Sequence, residues 1–130
     1  MAPNDIIGFK QDGVQEGVYK NLRLGKYPID DVLNVQQGGF EKSRQSLFDR
    51  IRLNQEKGIR CMLIKHGRGE QSKPIAGYLK SAVNQWLVQL PQVIAFHSAQ
   101  LHHGGSASVY ALLKKSEQQK THNRELHRKK

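Results

Sequence analysis

Cysteine is almost absent from this chain: Cys61 stands alone, inside an apolar run. A single thiol excludes a disulfide framework, and its apolar neighbours predict a buried side chain in a reducing compartment, the cytoplasm. Long hydrophobic runs are missing too. Nothing approaches the roughly 20 residues that a membrane-spanning helix needs, and the opening MAPNDIIGFK has no charged region leading into an apolar one. The expectation is a soluble chain that neither enters a membrane nor is secreted. Acidic residues are scarce beside basic ones, 11 against 21, leaving a formal net charge of +10. That balance argues for a polyanionic partner, nucleic acid first, although a plain domain with a basic surface has the same composition. The 130 residues suffice for one core and not two.

Regular pattern is also missing from the first 28 residues, which mix Gly, Pro, Gln and charge with scattered apolar side chains. They read as an N-terminal arm, its first ten residues loose and its second half docked through Val18, Tyr19, Leu22 and Leu24. Order begins at Asp31 with the short strand DVLNV, which stops at QQGG. In residues 40–58 the positions Phe40, Leu47, Phe48 and Ile51 share a helical face, and Gly58 marks the stop. IRCMLI is a continuous apolar strand, covered on both faces.

Ser72 offers an N-cap and Pro74 a first-turn residue for a helix to Leu90, in which Ile75, Leu79, Ala82, Val83, Trp86, Leu87 and Leu90 recur every three or four positions. Trp86 and Phe96 fall on apolar faces and read as core. VIAFHSA and SASVYALLKK are two further strands, joined by a connection short enough for antiparallel pairing. The order β-α-β-α-β-β predicts a two-layer α/β sandwich with a four-stranded mixed sheet over residues 29–115. Residues 116–130 form a basic tail.

If the first three strands run the same way, the loops QQGG (36–39), KHGRG (65–69) and HSAQLHHGG (97–105) meet at one edge of the sheet, the usual ligand crevice of such folds. Glycine in KHGRG lets backbone N–H groups face an anion, and Lys65, Arg68 and Lys73 add cationic contacts to phosphate. His66 has the chemistry to move a proton at an attacking or leaving oxygen. The duller alternative is that the glycines merely make a turn. His66, His97, His102 and His103 lack the HxH or HExxH spacing of a metal site, so no metal ligand is assigned; a divalent ion stays open and no cofactor is evident.

GVYKNLRLGKYPIDDVLNV, CMLIKHGRG, LKSAVNQWLVQLPQVIAFHSAQ and HHGGSASVYALLKK, taken in order, resemble the small MutS-related (Smr) domain in its stand-alone bacterial form, over about residues 17–115. The marks are HGxG at His66, Gly67, Arg68 and Gly69, the stretch from Trp86 to Ala99, and the pair Gly104 and Gly105. The resemblance implies a sandwich similar to the C-terminal domain of translation initiation factor three, nucleic-acid binding and, in several members, endonuclease activity.

On this reading the chain nicks DNA: His66 is the acid/base, Arg68 neutralises the scissile phosphate, and Lys65, Gly67, Gly69, Lys73, His103, Gly104 and Gly105 contact nucleic acid. The family's Leu-Asp-Leu-His-Gly is here Leu33-Asn34-Val35-Gln36-Gln37, so Asn34 and Gln36 hydrogen-bond the substrate but supply neither general base nor metal ligand. Its Gly-Gly-x-Gly-Ala becomes Gly104-Gly105-Ser106-Ala107-Ser108. These departures favour the alternative, a catalytically weak binding module for structured RNA or ribosomes. DNA is the first partner, with RNA or the ribosome behind it, and a monomer is the default.

Overall fold

The computed structural model describes residues 4–36, 39–67 and 78–115. Its elements are β1 (Gly8–Lys10), α1 (Glu16–Arg23), β2 (Asp31–Asn34), α2 (Phe40–Lys57), β3 (Cys61–Lys65), α3 (Tyr78–Gln89), β4 (Val93–Ser98) and β5 (Ser108–Leu113), with two short 3-10 turns between the last two strands. The class is the expected α/β arrangement with a mixed sheet. That sheet has five strands where four were expected, in the order β1-β4-β5-β3-β2. β2 and β3 pair in parallel; the other neighbours are antiparallel.

The additional strand lies within residues 1–28. Where the sequence suggests an extended arm with a loose start, Ile7 is buried, its N–H donates to Ser98 Oγ at 2.9 Å, and Gly8–Lys10 pairs with His97–Ala95. A three-residue strand has no periodicity of its own to read; it exists because β4 offers an unpaired edge. The second half of the segment packs on the sheet as a helix, and Leu24, expected to dock with it, is 41 % exposed instead. Leu22 is buried, and Val18, Tyr19 and Tyr27 pack beside it.

Alternation along the central strands sends side chains to both faces. Met62, Ile64, Val109, Ala111 and Leu113 meet Leu47 and Ile51 of α2 and Val83, Trp86 and Leu87 of α3. Cys61, Leu63, Tyr110 and Leu112 meet Leu22 and its neighbours on the other face. All six residues of β5 are buried, as a strand covered on both sides requires. Burial pushes the Cys61 thiol up to about 12, so the lone cysteine is the inert core group expected of it.

α2 ends at Gly58 in the left-handed region, where Gly58 N–H reaches Gln55 O and Ile59 N–H reaches Asn54 O, the paired bonds of a Schellman stop. Phe40 departs from expectation. It is 38 % exposed and packs on Tyr78 and Trp86, with ring centroids 5.4 and 5.0 Å away. The N-cap and first turn expected at Ser72, Pro74 and Ile75 lie outside the described residues, as does the basic tail. Among the described residues no helix is long and apolar enough to cross a membrane.

Candidate phosphodiester site

β2, β3 and β4 point the same way, because β5 runs antiparallel to both β3 and β4. Their carboxyl ends therefore share one edge of the sheet, and the loops that follow them meet there. A depression of about 320 Å³ opens at that edge, lined by Gln36, Lys65, Gly67, His102, His103 and Gly104, with Leu63, Ala107 and Ser108 at its base.

Backbone bonds fix the walls. Val35 N–H donates to Lys65 O at 3.0 Å, and the His66 and Gly67 N–H groups both donate to Ala107 O, at 3.1 and 2.9 Å. Those two N–H groups are thereby committed within the protein, which removes them from the anion-facing role that the glycine loop suggested. Gly67 has φ +77°, and a Cβ there would lie 2.6 Å from Gln36 Oε1. Glycine thus lets the Gln36 amide rest against the loop. Gln36 is held in turn by Asn34, whose Oδ1 accepts the Gln36 N–H at 2.9 Å.

The histidines divide by environment. His66 is 2 % exposed and does not line the depression. Its Nδ1 lies 2.6 Å from Gly67 O, so that nitrogen carries the proton, while Nε2 is buried with no hydrogen-bond partner among the described residues. Burial lowers its pKa to about 4, opposed by the Gly67 hydrogen bond and assisted by the positive charge of Lys80. The expected acid/base is therefore a neutral, enclosed ring at physiological pH. Lys80 is itself fully buried, and its ammonium donates to the backbone oxygen of Asp5.

His103 is half-buried and faces the depression, with its Nδ1 2.5 Å from the hydroxyl of buried Tyr110. The same hydroxyl accepts the Gln100 N–H at 3.1 Å. His102 is exposed and lies against His103, ring centroids 4.0 Å apart; desolvation first and then His102 lower the His103 pKa.

The Smr domain family matches residues 33–114 of this chain. The chain belongs to the Smr domain family. It is 38% identical over 123 residues to the Probable DNA endonuclease SmrA of Escherichia coli (strain K12), covering 95% of this chain and 66% of that relative. It is 32% identical over 107 residues to the Ribosome rescue factor SmrB of Aliivibrio salmonicida (strain LFI1238), covering 82% and 57%. The chain thus spans less than two thirds of either relative's length. Among solved structures it resembles YdaL, a stand-alone small MutS-related protein from Escherichia coli, with TM-score 0.77, 36% identity and 88% of both chains covered.

Within this Smr domain the structure brings Gln36, Lys65, Gly67, His103 and Gly104 together around the depression, and Asn34 acts one step back by holding Gln36. Gly105 is buried and borders a neighbouring depression beside Ser98 and Leu101. Arg68, Gly69 and Lys73 lie outside the described residues. Sequence reasoning missed Tyr110 and Lys80, and the one available signal was a polar-tipped side chain within an apolar strand or helix face. Asp31 sits at the opposite end of β2, bonded to Arg50 and Asn54. Among the described residues no three His, Cys, Asp or Glu side chains are grouped to hold a metal ion.

Proposed function

We propose that this Smr domain is a DNA-nicking endonuclease that grips its substrate by the phosphate backbone. The observation that carries the reading is the convergence of Lys65, Gln36, Gly67 and His103 on one open depression in a chain of net charge +10. A cation, an amide and an imidazole around an open, anion-sized space can bind and attack a phosphodiester. The similarity to a relative named as a DNA endonuclease supports the substrate class. Arg68 and Lys73 would add charge to the same phosphate, with Gly69, Gly104 and Gly105 allowing close approach. His66 serves by shaping the loop, since its Nδ1–H is spent on Gly67 O and its ring is enclosed. The chain would act in the cytoplasm.

A second reading has its own observation. Asn34 and Gln36 stand where the family has an acid and an imidazole; Asn34 holds the Gln36 N–H, and the Gln36 amide rests against Gly67. That arrangement suits a binding module for structured RNA or ribosomes, and relatives named ribosome rescue factors fit it. Purified chain incubated with supercoiled plasmid and, separately, with structured RNA, each with and without EDTA, decides between them. Conversion of supercoiled to open-circular plasmid is the expected result. Salt-dependent binding of RNA with no cleavage of either substrate would overturn it in favour of the module.

A further inference from the structure

We propose that His103, oriented by the hydroxyl of Tyr110, is the general base of the cleavage step; this rests on the nuclease reading above. Hydrolysis needs a group that takes a proton from the attacking water, and that group must reach the substrate. Of the histidines at this edge, His66 is walled off and His102 has no hydrogen-bonded anchor among the described residues. Of the two histidines that line the depression, His103 is the one that combines access with a fixed orientation.

That orientation is built from several directions. Tyr110 is 1 % exposed and comes from the central strand β5, a rigid base. Its ring meets His103 edge to face, with centroids 5.4 Å apart and an interplanar angle of 84°. The imidazole's own backbone is pinned by His103 N–H to Gln100 O at 2.9 Å. Gln100 in turn reaches α1, its Nε2 donating to Arg23 O at 2.6 Å. Gly25, at φ +72°, lets the chain after α1 pass so close that a Cβ there would sit 2.8 Å from the Tyr110 oxygen. The docked N-terminal helix thus closes over the hydroxyl that holds the ring.

The chemistry follows from which nitrogen is taken. The Tyr110 hydroxyl can donate to Nδ1 or accept from it; in the tautomer that carries its proton on Nδ1, the lone pair is on Nε2, across the ring and directed away from the buried hydroxyl. Water attacks phosphorus as Nε2 takes its proton; a new P–O bond forms and the bond to the leaving sugar oxygen breaks. Solvent protonates the leaving oxygen, and the imidazolium later returns its proton to bulk water. A hydroxyl suits this cycle because it can turn to accept from Nδ1–H when the ring becomes charged. Among the described residues, the charged and titratable groups around His103 are His102 from the same turn, Tyr110 from β5 and Lys65, which lines the same depression from β3. Desolvation first and then His102 hold the His103 pKa down, which favours the basic form of the ring at neutral pH.

The test uses the full chain and supercoiled plasmid. His103→Ala is expected to lose about 10²-fold or more in kcat, and added imidazole is expected to restore part of the rate. Tyr110→Phe keeps the ring but removes the oxygen that stabilises the imidazolium. Its kcat should fall, and the acid limb of its pH profile should move to lower pH. A parent that nicks alongside an equally active His103→Ala overturns this inference alone, as does a folded, plasmid-binding His103→Ala that imidazole leaves inert. A parent that cleaves neither plasmid nor RNA removes the nuclease reading, and this inference with it.

Discussion

The burial of His66 makes the stability of the whole domain depend on pH in a way that one substitution isolates. The ring is 2 % exposed, its Nδ1–H is committed to Gly67 O, and among the described residues Nε2 has no acceptor to receive a second N–H if the ring becomes charged. The unfolded chain takes a proton near 6.5, whereas the folded chain refuses it until about 4. Between those values the unfolded state binds more protons, so stability is full above the upper value and falls as the pH drops toward the lower. At about 1.4 kcal/mol per unit the loss approaches about 3 kcal/mol, which for a domain of this size lowers the melting temperature by roughly 10 °C.

Thermal melts followed by circular dichroism from about pH 7.5 to about pH 4.5 measure the slope for the parent and for His66→Gln. The variant starts lower because it loses the Gly67 contact, but its slope should be shallower by the His66 share. Parallel curves for the two proteins would refute the enclosed, neutral ring, as would an NMR titration of His66 near its ordinary value.

Other perturbations test other parts. Gly67→Ala should cost about 1–2 kcal/mol for the left-handed backbone, with little added by the Gln36 amide, which can swing aside; urea unfolding of Gly67→Ala with and without Gln36→Ala separates the two contributions. Asp31 is pulled up by burial, but its bonds to Asn54 and Arg50 outweigh this and hold its carboxyl below the usual range. Its contribution is therefore present above the unfolded value and lost as the pH falls through the folded one. Asp31→Asn should lower stability by about 1 kcal/mol near neutrality, and the difference should vanish in melts at strongly acid pH. Leu47→Ala, at a fully buried position on α2, should cost about 2–5 kcal/mol in denaturant unfolding. Lys65→Ala should weaken plasmid binding without regard to sequence and reduce the slope of log K against log salt by about 1.

The elements from β2 to β5 are legible because each carries a period or a stop of its own: the apolar run of Cys61–Lys65, the three-and-four spacing through Ala82, Val83 and Trp86, the glycine after Lys57. β1 and α1 are not, because neither stands alone. Gly8–Lys10 becomes a strand only against β4, some ninety residues away, and α1 has no side-chain cap to announce it. The meeting of the loops at the sheet edge follows from strand order and direction, so the sequence can anticipate it through the crossover rules. Whether an imidazole faces water or core does not follow from such rules. His66 and His103 both precede a glycine, and only the packing of α3, the Asp5 backbone and Tyr110 makes one an enclosed ring and the other a presented one.

The position of β5 has a consequence for how the chain comes into being. The strand at the middle of the sheet is the last in chain order among the described residues, and both β3 and β4 wait for it. Until Ser108–Leu113 is available, the parallel β2–β3 pair and the β1–β4 pair share no partner, and the loops that form the depression have no common wall. Closing the domain is therefore a late step that joins two halves across a large sequence separation, and it is slow relative to forming either half. A chain emerging from the ribosome would therefore lack the assembled depression until Ser108–Leu113 has been made.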